Sequence, residues 1–209
     1  MEVTLLTKNE HMTDMVNNAV TATLTCHANT GKDVDSKDLL SRIIKAGHES
    51  VLEHINLTYS VKDLSRACLQ ELARHRHISL SVESTRHTLK QQIMQGSIVL
   101  ALPANMDKEL KKIVYTYLQT LFDYVHNHPD MHNDQLKYAV PECLATNLVL
   151  TANISALRHI IKLRTAPAAL KEFQQLARAL FDAVPEEYRY LLKDCVYKET
   201  EHDKQEVKS

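Results

Sequence analysis

Arg74, His75 and Arg76 are consecutive, and after seven intervening residues Ser84 stands in a second polar cluster, Glu83-Ser84-Thr85-Arg86. Guanidinium groups crowded this closely are costly unless an anion neutralises them, and their forked donors match phosphate oxygens. The segment therefore points to a phosphate-bearing ligand. The formal net charge is only -1, so this anion site is local and not part of a field that would gather nucleic acid. Glycine is scarce: Gly31, Gly47 and Gly96 are the full complement. Neither GxGxxG nor a Walker loop is present. A nucleotide bound here must be held by side chains and helix ends.

The elements that must carry these residues follow from periodicity. Residues 2–7 and 55–61 alternate apolar and polar positions and predict strands; residues 14–28 and 36–48 predict helices. A helix over residues 64–75, capped by Asp63 and striped by Leu64, Cys68 and Leu72, carries the arginines on its last turn. Residues 93–102 read as strand-like and stop at Pro103. Residues 107–124 predict a long amphipathic helix with Leu110, Val114, Tyr117, Leu121 and Tyr124 along one packing stripe. A further helix over residues 134–144 contains Pro141, residues 148–151 read as a short strand or a buried helix start, and residues 155–163 and 167–184 predict helices. No linker or repeat divides the 209 residues, so one domain is expected over residues 1–197, with a charged tail over 198–209.

No secretory signal pattern opens the chain and no stretch nears the ~20 apolar residues of a membrane span. Cys26, Cys68, Cys143 and Cys195 lie far apart, which favours reduced thiols and a cytoplasmic location. His126, His128 and His132 with Asp130 have ligand chemistry, but their spacing around Pro129 reads as a solvated loop, so no metal is expected.

Three separated stretches share one resemblance. They are Gly47-His48-Glu49-Ser50-Val51-Leu52-Glu53-His54, the run from Arg74 to Arg86, and the segment from Tyr138 through Val140-Pro141-Glu142 and Asn153 to Leu163-Arg164. Together they resemble the flavin-dependent thymidylate synthases. The resemblance implies a single α+β domain with a small antiparallel sheet and long helices, assembled as a homotetramer with active sites between subunits. It further implies FAD as cofactor, with dUMP, NADPH and methylenetetrahydrofolate as substrates, and dTMP and tetrahydrofolate as products.

Carried over by position, the resemblance places His48, Ser50, Arg74, His75, Arg76, Asn153 and His159 at the flavin. It places Glu71, Arg74, Glu83, Ser84, Thr85, Arg86, Lys137 and Arg164 at the nucleotide, with Arg164 as the catalytic residue that stabilises charge on the pyrimidine. A fixed guanidinium suits that task because it stays charged and needs no reorganisation. Glu71, Val82, His87, Lys137 and Ser155 depart from the family's commoner residues. Lys137 keeps the charge of an arginine but not its fork. Two other readings follow from the sequence: a flavin- or nucleotide-binding relative without catalysis, suggested by Val82 and Ser155, and a nucleic-acid-binding module, against which the neutral charge and 5% aromatic content argue.

Overall fold

Strict alternation of buried and solvated side chains builds the sheet. In the computed structural model, which describes residues 1–198, strands β1 (Glu2–Leu5), β2 (Asn56–Ser65), β3 (Ile78–Val82) and β4 (Ala145–Asn153) form one antiparallel sheet in the order β1-β2-β4-β3. Leu57, Tyr59 and Val61 of β2 and Leu148, Leu150 and Ala152 of β4 are buried on one face. Thr58 pairs with Thr151, which pairs with Ser79, on the other, polar face. The residues from 199 onward, which include all but Lys198 of the expected tail, lie outside the described part of the chain.

Helices cover the apolar face. The main core runs from Met12 and Val16 of α1 (Asn9–Cys26) through the sheet to Ile160 and Ile161 of α7 (Ile154–Arg164) and Phe173, Leu176 and Leu180 of α8 (Lys171–Asp182). α2 (Ser36–Lys45) packs on α1, and its cap, Asp35, accepts from the Asp38 N–H. A second, smaller core gathers Leu89 and Ile93 of α4 (Thr85–Met94), Val125 of α5 (Lys108–Asn127), Leu136 of α6 (Asn133–Leu136) and Leu144. The α+β class with a small antiparallel sheet agrees with expectation.

Several local expectations are corrected. α3 spans Arg66–Ala73 and is capped by Ser65, whose side chain accepts from the Cys68 N–H, not by Asp63. β2 runs on through Leu64 because Lys62 and Asp63 form a bulge opposite Asn147, with Asp63 at φ 57. Residues 93–102 are the end of α4 and a loop, held by a lone bridge between Leu100 and Leu144. The helix expected over 134–144 stops at Leu136 and passes into a 3-10 turn, Lys137–Ala139, ahead of Pro141. The tyrosine stripe of α5 is largely exposed, with Tyr117 at 47% and Tyr124 at 50%; Leu118 and Val125 bury instead.

Candidate active site

Two helix ends and a strand start deliver the central residues. α2 ends with Gly47 at φ 74, and the His48 N–H bonds back to the Ile43 carbonyl, so only a residue tolerant of positive φ fits there. His48 then caps the 3-10 helix Glu49–His54, which places Glu53 against the main cavity. Arg74 caps the C-terminus of α3, and His77, at φ 61, swings the chain from helix into β3. β4 ends at Asn153, whose side chain accepts from the Ala156 N–H and starts α7. On α7, Ser155, Ala156, His159 and Leu163 face the cavity while Leu157, Ile160 and Ile161 enter the core.

The result is one cavity of about 460 Å³, lined by Glu53, Arg74, His75, Arg76, His77, Asn153, Ser155, Ala156, His159, Leu163 and Arg164. That volume lies within the usual range of ligand sites. Three arginines against one carboxylate, Glu53, make the wall cationic, with three histidines beside them. Arg164 is the most constrained of them. Its Nη1 lies 3.0 Å from Glu71 Oε2, its Nε donates to His75 Nε2 at 3.0 Å, and its Cζ sits 4.6 Å from the Phe173 ring centre. Glu71 also reaches Arg74 Nη1 at 3.4 Å. His75 is buried, and burial, then the charges of Arg164 and His159, lower its pKa to about 4. It is therefore neutral near pH 7, and with Nε2 accepting, its proton sits on Nδ1.

Of the residues expected at the ligands, Arg74, His75, Arg76, Asn153, His159 and Arg164 converge on this cavity, and Glu71 bonds two of its arginines. His48 and Ser50 are exposed beside it, at the start of the 3-10 helix, and do not line it. Glu83, Ser84, Thr85, Arg86 and Lys137 form a separate cluster beyond β3, whose five residues span roughly 17 Å. Ser84 caps α4, so the expected turn is a helix N-terminus whose first N–H groups have no intrahelical partner. The Ser84 hydroxyl makes no capping bond. Arg86 is exposed and forks onto Asp134, Nε to Oδ1 at 2.6 Å and Nη2 to Oδ2 at 3.1 Å; this pairing raises the Arg86 pKa and lowers that of Asp134.

The Glu83 carboxylate accepts from Gln92 Nε2 at 2.5 Å and Asn147 Nδ2 at 2.8 Å, which fixes the start of α4. Sequence reasoning missed Glu53 and His77 as wall residues. Glu53 stands in the recognisable Gly47-to-His54 stretch, whereas nothing in the sequence marks the positive φ of His77. His126 and His128 bond the backbone carbonyls of Phe122 and Tyr124 through Nδ1. Among the described residues no group of three His, Cys, Asp or Glu side chains converges, and no helix is long and apolar enough to cross a membrane.

Fold and site together define a single-domain α+β protein with a cationic cavity and, apart from it, a helix N-terminus flanked by Arg86. A family model described as "Thymidylate synthase complementing protein" matches residues 6–188, and the chain belongs to that family, Thy1. Among its relatives, the flavin-dependent thymidylate synthase of Campylobacter jejuni strain RM1221 is 38% identical over 176 residues, covering 79% of this chain and 83% of the relative. That of Helicobacter pylori strain J99 is 37% identical over 172 residues, covering 77% and 82%. The flavin-dependent thymidylate synthase ThyX from Helicobacter pylori complexed with FAD and dUMP superposes with a TM-score of 0.82 at 32% identity, over 94% of this chain and 100% of that one.

Proposed function

We propose that this protein is an FAD-dependent thymidylate synthase. It converts dUMP, methylenetetrahydrofolate, NADPH and a proton into dTMP, tetrahydrofolate and NADP. The observation that carries the reading is the convergence of Arg74, His75, Arg76 and Arg164 on one cavity in a chain of this family.

The donor set fits a flavin nucleotide: guanidinium forks for phosphate, and imidazole and amide groups for ring and ribose edges. Arg74, His75, Arg76, Asn153 and His159 would hold it, with His48 and Ser50 at the margin. FAD, when bound, supplies the hydride that completes the methyl group.

The remaining work belongs to this chain's own residues. Arg164, held on three sides, is a permanent cation that favours negative charge on the pyrimidine and needs no reorganisation. Neutral His75 accepts from Arg164 and leaves its Nδ1–H as a donor. The start of α4, with Ser84, Thr85 and Arg86, suits the dUMP phosphate through helix-end N–H groups and a guanidinium. Lys137 adds charge beside it, and Arg86 exchanges Asp134 for phosphate when the nucleotide arrives.

The roughly 17 Å of β3 that separates this start of α4 from the arginine cavity supports a site completed by a second copy of the chain. We accordingly read the protein as a homotetramer, with FAD spread across an interface. The exposed apolar face of α5, with Leu110, Ile113, Tyr117 and Tyr124, supplies surface for assembly. The unpaired thiols of Cys26, Cys68, Cys143 and Cys195 favour a cytoplasmic setting. The test is purification with light scattering and a visible spectrum. A yellow tetramer with flavin absorbance is expected; a stable monomer that retains stoichiometric FAD would refute the assembly.

A further inference from the structure

The first turn of α8 touches the candidate active site from beneath, through two adjacent residues with no role so far. Glu172 accepts from the Ser65 N–H at 2.8 Å through Oε1 and from the Ser65 hydroxyl through Oε2. Ser65 is the cap of α3, so Glu172 pins the beginning of the helix that ends in Arg74. Phe173 is fully buried and meets the other end. The Arg164 Cζ lies 4.6 Å from its ring centre, and the His75 ring packs edge-to-face with it at 5.7 Å and 78°.

A guanidinium over an aromatic face is attracted by the ring quadrupole, more strongly where water is excluded. Arg164 has a side-chain exposure of 15%, so the contact is partly desolvated. The ring fixes one side of the guanidinium plane while Glu71 and His75 fix its in-plane donors. An aliphatic side chain of similar volume would fill the same space without that attraction.

We propose that Phe173 is a positioning residue for the methylation step: its ring carries the Arg164 guanidinium and abuts His75, holding both in the orientation that faces the substrate. This rests on the thymidylate synthase reading above. Phe173 touches neither nucleotide nor flavin in this account and acts through Arg164.

The test uses F173L and F173M in the full chain, two volume-conserving variants that lack the ring. In the ligand-free protein, nitrogen-detected NMR should show a protected Arg164 Nε–H in the wild type, assigned by its loss in R164K, and exchange-broadened in both variants. In the FAD-loaded enzyme, kcat for dTMP formation should fall about 3–30-fold. The KM for dUMP should change less than threefold, and NADPH-driven flavin reduction should fall less than dTMP formation. Unfolding of both variants would assign Phe173 to the core alone and overturn the proposal. So would an unaltered Arg164 signal, or wild-type kcat in both. Absence of dTMP formation in the wild type would defeat the functional reading instead, leaving the NMR comparison to judge Phe173.

Discussion

Replacing Arg164 separates charge from geometry. In Arg164→Lys the cation remains and an ammonium still reaches Glu71, whose Oε2 lies 3.0 Å from the native Nη1. What disappears is the Nε–H donated to His75 Nε2 at 3.0 Å, a bond worth about 1 kcal/mol net. Part of the contact with Phe173, 4.6 Å from Cζ, goes too, at about 0.5–1 kcal/mol. The sum of about 1.5–2 kcal/mol corresponds to a roughly 10–30-fold slower methylation step. Arg164→Ala removes the fixed donor outright, for which about 10²–10³-fold is the usual loss.

The alanine variant should still fold. Glu71 keeps Arg74 at 3.4 Å, so no carboxylate is stranded. Burial is the first cause of the low His75 pKa and the Arg164 charge the second, so in Arg164→Ala that value should move up from about 4 without reaching its ordinary 6.5. The assay measures NADPH-driven flavin reduction and dTMP formation separately in each variant. Flavin reduction should survive in both, while dTMP formation falls in the order wild type, lysine, alanine. Wild-type dTMP formation in Arg164→Ala would show this arginine to be only a helix-end charge.

Arg86→Ala removes the guanidinium proposed for the dUMP phosphate and should weaken dUMP binding about 10–150-fold by calorimetry, with FAD binding unchanged; unaltered dUMP affinity removes Arg86 from the phosphate site. Glu71→Gln keeps an oxygen for Arg164 but removes a negative charge from an anion site, so dUMP should bind about 3–10-fold tighter at low salt, and weaker binding would contradict the placement. His75 contributes to acid sensitivity. As its folded pKa, about 4, lies below the ordinary 6.5, the unfolded chain takes the proton first as pH falls, so stability is full above about 6.5 and declines towards 4. Urea unfolding at pH 7 and 4.5 should show a loss of which His75 supplies about 1–2 kcal/mol once solvent screening is allowed for, and His75→Gln should remove that share.

The sequence made the strands legible where alternation is strict, as at Leu57, Tyr59 and Val61, because one sheet face is buried and the other is polar. It misled where two signals competed. Leu89 and Ile93 are four apart and do bury as a helix stripe, but Ile93 also opens an apolar run that imitates a strand. Gly96 at φ 65 ends that helix, and β-propensity beyond it finds no strand partner except at Leu100. In α5 the helix was evident but not its orientation, since the small second core takes Val125, with Leu121 and Phe122 packed against it, and leaves the tyrosines exposed. At the site, Arg74, His75, Arg76 and Arg164 could be named from motifs, yet their meeting depends on β3 and β4 pairing Ile78 with Ala152. Which residues face the cavity beside them, Glu53 and His77 included, depends on that tertiary closure.

The most direct test of the central claim is a coupled assay on the purified, FAD-loaded protein, following NADPH oxidation and dTMP formation in the same sample. With dUMP and methylenetetrahydrofolate present, one dTMP should appear for each NADPH consumed, and omission of either substrate should abolish dTMP. A flavin-loaded protein that oxidises NADPH yet makes no dTMP with both substrates present would contradict the account, leaving a flavin-binding relative without the synthase reaction.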